Sequence, residues 1–216
     1  MPEDSINPNL KTGSPLSAGS SGGKLNDAGL MIQGAPTWWS FEKQPSQVKA
    51  QVEYLLTFFT FEKWQEDPIN GLLLWGPPGT GKTSTALAVA YRWGKEGKSC
   101  RFQDFGELMV SIRSSWRKDA TRTVEEIHEE MVKPRLLILD DIGKRAAPED
   151  QETIGILVNA RINRQKPTIC TTNCLLNTPG GRAEFAAACD SRVAERYRGC
   201  EVGFESGDNL RARRKP

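Results

Sequence analysis

Residues 76–83 read Gly76-Pro77-Pro78-Gly79-Thr80-Gly81-Lys82-Thr83, and this run decides the fold. It fits G-x-x-x-x-G-K-[ST] in full. Before it stands Leu72-Leu73-Leu74-Trp75, a short apolar run suited to a buried strand. After it, Thr85 to Trp93 is alanine-rich and helical. Strand, loop, helix is the setting this pattern requires. The glycines let backbone N–H groups turn inward toward an anion. The following helix adds its free N–H groups and positive dipole end. In such a loop Lys82 reaches the β and γ phosphates of a nucleoside triphosphate, and the Thr83 hydroxyl ligates Mg2+. The nucleotide-binding residues are therefore Gly76, Pro77, Pro78, Gly79, Thr80, Gly81, Lys82, Thr83 and Ser84.

The chain has 216 residues, enough for one α/β domain with tails. Its hydrophobic fraction of 38% supports a sizeable core. A net charge of +2 carries no global nucleic-acid signal, so any basic surface must be local. The five cysteines are odd in number and contain no C-x-x-C pair, which reads as reduced, mostly buried thiols in the cytoplasm. No apolar stretch approaches the ~20 residues of a membrane span, and no signal-peptide core opens the chain.

Residues 1–35 are rich in Gly, Ser, Asn and Pro and read as a disordered tail. Residues 36–206 form the domain, and 207–216 form a basic C-terminal tail. Within the domain, Ser46 to Trp64 has helical spacing of Val48, Val52, Leu55, Leu56 and Phe59. Five strands are expected, at Leu72–Trp75, Ser99–Asp104, Leu136–Leu139, Thr168–Thr172 and Glu201–Phe204. Helices are expected at Phe105–Lys118, with Trp116 inward, and at Thr123–Val132, Glu149–Asn163 and Ala183–Arg198. Alternating strands and helices imply a parallel sheet covered on both faces.

Leu136-Leu137-Ile138-Leu139-Asp140-Asp141 is the second strong signal. Four apolar residues bury the strand, and two carboxylates emerge at its carboxyl end, where ligands of such sheets sit. Asp140 is the expected Mg2+ ligand, with Thr83. Asp141 is the expected group that orients or deprotonates the attacking water. Asn173, at the end of Thr171-Thr172-Asn173, could touch the γ phosphate; a turn or cap asparagine gives the same pattern. His128, among Glu125, Glu126, Glu129 and Glu130, reads as an exposed helix residue.

These three runs, in this order, resemble the AAA+ ATPases: Gly76–Thr83 is similar to the Walker A loop, Asp140-Asp141 to the Walker B end, and Asn173 to the sensor-1 position. Flanking phrases resemble the DnaC/IstB branch of replicative helicase loaders and transposon ATPases. They are Asn70-Gly71-Leu72-Leu73-Leu74-Trp75, Leu139-Asp140-Asp141-Ile142-Gly143, Pro167-Thr168-Ile169-Cys170-Thr171-Thr172-Asn173, Ser191-Arg192-Val193-Ala194-Glu195-Arg196 and Trp39-Ser40-Phe41. The resemblance implies a P-loop NTPase of three-layer αβα architecture on a five-stranded parallel sheet, without the α-helical lid domain. It implies an ATPase with ATP and Mg2+ as cofactors, which assembles with itself on ATP binding. An arginine finger from one subunit would complete the next subunit's site. Arg196 holds that position, with Arg192 as the alternative in the same helix.

Two departures bear on function. Many AAA+ proteins carry Glu where this chain has Asp141, so slow or partner-dependent hydrolysis is expected. Loaders of this branch usually carry a folded or helical helicase-binding region where this chain has residues 1–35, so that docking module is expected to be reduced, replaced or absent. The resemblance further implies single-stranded DNA and a hexameric replicative helicase as partners. Arg113, Arg117 and Lys118, beside Trp116, could supply phosphate contacts; a solvated helix face with Trp116 in the core fits the same residues. Lys144-Arg145 and the terminal Arg211, Arg213, Arg214 and Lys215 are weaker candidates. The competing functions are a transposition helper ATPase, a small-molecule P-loop kinase, and a nucleotide-gated binding module that hardly hydrolyses.

Overall fold

The computed structural model describes residues 31–143 and 148–204. Its core is a parallel sheet of six strands: β1 (Ile32–Gln33), β2 (Gly71–Trp75), β3 (Cys100–Asp104), β4 (Leu136–Asp140), β5 (Thr168–Thr172) and β6 (Glu201–Gly203). They lie in the order β1-β3-β4-β5-β2-β6. The strand absent from the sequence expectation is β1. Ile32 and Gln33 pair with Cys100 and Arg101, and Ile32 is buried, so the domain begins inside the segment assigned to the tail. Two residues are too short to show an alternating pattern. Residues 1–30, Lys144-Arg145 and the basic tail lie outside the described residues, as does everything after Phe204 on which the lid expectation turned.

The inner strands β2 and β4 run apolar because both faces of the sheet are covered. Successive side chains point to opposite faces. Leu72, Leu74, Leu136, Ile138 and Ile169 enter one core, under α1 (Ser46–Leu56), α2 (Phe61–Glu66) and α3 (Lys82–Lys95). Leu73, Leu137, Leu139 and Cys170 enter the other. That face is covered by α4 (Phe105–Ser115), α5 (Val124–Val132), α6 (Pro148–Asn163), α7 (Pro179–Cys189) and α8 (Ser191–Arg196). The result is the three-layer αβα arrangement.

Three helix expectations are corrected. Ser46–Trp64 divides at residues 57–60, because Thr60 adopts an extended conformation and its side chain accepts from the Lys63 N–H to cap α2. Ala183–Arg198 divides at Asp190, whose φ of 72° cannot continue a right-handed helix, and α7 starts earlier, behind the Thr178 cap. The helix from Phe105 stops at Ser115, so Trp116 does not point inward; it is 58% exposed. His128 is half-buried rather than exposed, and burial, with Arg164 next, lowers its pKa.

Arg161 fastens the amino-terminal ends of the strands. It is fully buried on α6. Its guanidinium donates to Thr168 Oγ1 at 2.9 Å, to the Met131 carbonyl at 2.8 Å and to the Pro167 carbonyl at 2.7 Å. Longer bonds reach the carbonyls of Val132, Pro134 and Arg135. These groups close the end of α5, the turn into β4 and the start of β5. Burial pushes the Arg161 pKa down to about 10, so it remains charged at neutral pH. Arg161→Met would strand several buried acceptors, each costing about 1–3 kcal/mol. Thermal unfolding followed by circular dichroism should show at least about 3 kcal/mol of destabilisation, or roughly 6–12 °C in Tm. Arg161→Lys should recover only part of that loss, since a single ammonium lacks the planar fork.

Candidate functional site

The phosphate loop joins β2 to α3 at the carboxyl edge of the sheet. Gly76 is required there: a Cβ would stand 2.1 Å from the Phe204 carbonyl oxygen. Gly81 caps α3 with a φ of 98° and offers no side-chain acceptor, so the first N–H groups of the helix remain directed at the loop. Thr80 Oγ1 donates to the Pro77 carbonyl at 2.9 Å and braces the turn. Lys82 is only 6% exposed. Its ammonium donates to the Gly76 carbonyl at 2.7 Å, the Pro77 carbonyl at 2.8 Å and Asn173 Oδ1 at 2.8 Å.

Strand order explains the last of these bonds. The loop follows β2 and the aspartates follow β4, with β5 between them. Trp75 and Thr172 are register partners, so Asn173 emerges one step beyond the loop strand's end. Its Nδ2 donates to Asp141 Oδ1 at 2.5 Å. Asn173 therefore bridges Lys82 and Asp141. The bridge needs Asp141 to leave the strand abruptly, and its φ of 59° does this. That left-handed conformation costs a non-glycine residue free energy, although Asp tolerates it better than most. Two bonds to Thr171 hold it: the Asp141 N–H donates to Thr171 Oγ1 at 2.9 Å, and the Ile142 N–H to the Thr171 carbonyl at 2.8 Å.

Asp140 lies deeper and is 8% exposed. Thr83 Oγ1 donates to its Oδ2 at 3.1 Å, and Thr171 Oγ1 to its Oδ1 at 2.7 Å. Burial pushes the carboxyl above its usual range. The two hydroxyl donors pull it back, and the nearby Asp141 and Asp104 carboxylates push it up again. A carboxylate and a hydroxyl side by side form the oxygen donor set that a hard divalent cation prefers, so these residues fit Mg2+.

All of this opens into one cavity of about 520 Å³, a size suited to a nucleotide. Pro78, Gly79, Gly81, Lys82, Thr83 and Ser84 line it from the loop, while Gly76, Pro77 and Thr80 build the loop behind. Asp140, Asp141 and Asn173 line it directly beside the loop. Sequence reading missed four further groups. Thr171 holds both aspartates, and its signal was a hydroxyl in a wholly buried strand beside the acidic one. Asp104, the register partner of Asp140, lines the cavity, as do Trp38 and Gln44. No local motif marks those three.

The arginine candidates are elsewhere. Arg196 ends α8 with its side chain exposed, and its carbonyl accepts from Asn70 Nδ2 at 2.8 Å. Asn70 precedes β2, whose far end carries the loop. Five strand residues separate the two, or about 16 Å. The Arg192 backbone lies in the same helix, and its side chain is outside the description. Arg113, Arg117 and Lys118 are exposed at and after the end of α4 and do not line the cavity.

A family model described as IstB-like ATP binding protein matches residues 33–196. The replicative helicase loader DnaC of Escherichia coli K12 is 24% identical over 160 residues, covering 74% of this chain and 62% of that protein. The replication factor C large subunit of Nanoarchaeum equitans is 32% identical over 110 residues, covering 48% of this chain and 23% of that one. The chain thus spans less than two thirds of the length of these relatives. Among solved structures, the DnaC helicase loader superposes with a TM-score of 0.57 at 25% identity, covering 76% of this chain and 91% of the other. DnaI superposes with a TM-score of 0.62 at 21% identity, covering 86% and 100%. Among the described residues, no helix is long and apolar enough to cross a membrane.

Because Asp140's pKa is raised on folding, its contribution favours the fold below its unfolded-state pKa and is lost as pH rises through the folded value. Asp140→Asn should therefore raise Tm at neutral pH, by roughly 2–4 °C if the buried charge costs about 1 kcal/mol. The difference from the wild type should shrink as pH is lowered through the Asp140 titration. Melting curves over a pH series, without nucleotide, measure both effects.

Proposed function

The chain belongs to the IstB-like ATP-binding protein family of AAA+ ATPases, and on that premise we propose that it hydrolyses ATP as a helicase-loader-like DNA replication protein. The observation that carries this reading is the chain of contacts Lys82–Asn173–Asp141, which joins a phosphate-binding cation to a carboxylate through one amide.

The loop N–H groups and Lys82 bind the β and γ phosphates. Lys82 has three N–H donors, and three protein oxygens receive them. Phosphate oxygens exchange with at least one of these. Thr83 and Asp140 would hold Mg2+, which when bound offsets charge on the phosphate oxygens. Asp141 orients the attacking water and takes its proton, with Asn173 fixing the carboxylate. Its side chain is one methylene shorter than glutamate, which favours slow turnover that partners accelerate.

Arg196 acts in trans. It stands about one strand length from its own loop, so it serves a neighbouring copy assembled on ATP. Its fork matches phosphate oxygens, and such a finger is worth ~10^3 to 10^5 in rate. Single-stranded DNA is the proposed nucleic-acid partner. The exposed Trp116 offers a base a stacking face, and Arg113, Arg117 and Lys118, exposed and close to it in the chain, add positive charge. One structural neighbour, DnaA, was solved with AMPPCP and single-stranded DNA. Its 17% identity supports the shared fold alone. The name of the DnaC relative supports a replicative helicase as the protein partner. No disulfide joins the five cysteines, in keeping with a reducing compartment such as the cytoplasm.

Steady-state phosphate release, with and without a single-stranded oligonucleotide, tests the reading directly. Stimulation is expected, and Lys82→Ala should abolish ATP binding and release alike. Arg196→Ala should retain ATP binding yet lose at least about tenfold in assembled turnover. Mixing Arg196→Ala with Asp141→Asn should restore part of the activity, because one supplies an intact site and the other an intact finger. Full turnover by Arg196→Ala alone removes it from this role. Arg117→Ala should weaken oligonucleotide binding and flatten its salt slope by about 0.7 per lost phosphate contact.

A further inference from the structure

Arg196 ends a helix of only six residues, α8. A helix so short has little stability of its own, and its last carbonyls have no partner inside it. Val193 and Tyr197 are buried and hold one face of this stretch. Arg196 lies off that face and is exposed. The N–H groups that follow it turn to other carbonyls: Arg198 donates to Glu195 at 3.1 Å and Cys200 to Tyr197 at 2.9 Å. The Arg196 carbonyl is taken instead by a side chain 126 positions earlier, Asn70, whose Nδ2 donates to it at 2.8 Å.

Asn70 is itself held in place. Its carbonyl accepts from the Thr168 N–H at 3.1 Å, and β2 starts at the next residue. Beyond Arg196 the same strand takes hold of the chain again, where the Leu73 N–H donates to the Cys200 carbonyl at 3.0 Å and β6 pairs with β2. Residues 196–200 are thus bracketed by β2, once through a side chain and once through backbone. The backbone tie needs no particular residue. The side-chain tie needs a donor, since the end of a carboxamide that faces a carbonyl must be its N–H end. We infer that Asn70 is a positioning residue for Arg196: its amide fixes the backbone from which the guanidinium reaches a neighbouring copy's phosphates. This rests on the reading above of Arg196 as a finger in trans, and it names the residue that aims the finger. Aim matters, because a misplacement of about 1 Å can cost ~10^2 in rate. Asn70 does not line its own cavity, so the effect falls on the neighbour's turnover and spares nucleotide affinity.

The test measures ATP dissociation constants and assembled turnover on the full chain for Asn70→Asp, Arg196→Ala and the double variant. Asn70→Asp keeps the shape of the side chain and replaces its donor by an acceptor. It should bind ATP within about twofold of the wild type yet lose at least about fivefold in turnover. The double variant should lose no more than Arg196→Ala alone, because both changes act through one group. Mixing Asn70→Asp with Asp141→Asn should restore part of the turnover, since one copy supplies an intact site and the other a correctly held finger. A residue that merely stabilises its own subunit is not repaired by a neighbour. Asn70→Ala removes the donor without adding charge and is read in the same way if the aspartate variant does not fold. Wild-type turnover in the Asn70 variant, beside a loss in Arg196→Ala, overturns this assignment and leaves the finger standing. A loss that compounds with Arg196→Ala, or that Asp141→Asn copies do not restore, also overturns it. Full turnover by Arg196→Ala removes the finger reading and this one with it.

Discussion

A buried ammonium group sets the terms for the rest of the site. Burying a cation costs several kcal/mol unless oxygens surround it. Lys82 finds them in two carbonyls of its own loop and in one amide from a strand 91 residues away in sequence. At Gly76 the loop lets the Phe204 backbone pass where a Cβ would clash. The amide arrives only because β5 lies between β4 and β2. An anion entering the cavity therefore meets a cation that is already desolvated and already aimed. This arrangement makes the site electrostatically strong and costs the unliganded fold some stability.

The same tension recurs along the carboxyl edge. Asp140 is buried against its own charge, and Asp141 is held in a left-handed conformation. Thr171 offsets both. Its hydroxyl donates to Asp140 and accepts from the Asp141 N–H, while its carbonyl takes the Ile142 N–H. One threonine thus fixes both carboxylates at once. At the opposite edge of the sheet a buried charge is met by a full set of acceptors. There Arg161 satisfies six neutral oxygens, and the strands start from a rigid base.

What could be read from the sequence follows from this division. The four five-residue strands, β6, the loop, the aspartates and Asn173 were legible in place because each has a local cause: an apolar run, a glycine pattern, a polar strand end. The β1 strand was hidden because two residues show no period, and its buried isoleucine gains meaning only beside Cys100. Trp116 was misread because helical spacing was carried past Ser115, where the helix stops. Thr171 and Asp104 were missed for a common reason. Their roles depend on what the fold sets opposite them, and no neighbouring residue in the chain announces it.

One strand links the two ends of the proposed chemistry. β2 carries the phosphate loop at its carboxyl end, and Asn70, just before its other end, bonds the Arg196 carbonyl. Its five residues are paired on both sides, with β5 and β6. A strand so placed in a buried parallel sheet bends little, so loop and arginine keep a fixed separation of about 16 Å. In any assembly where Arg196 enters a neighbour's cavity, the position of one subunit's phosphates would fix where its arginine stands in the next. Repacking between copies would then occur at the exposed arginine side chain, because the sheet beneath it offers no second arrangement.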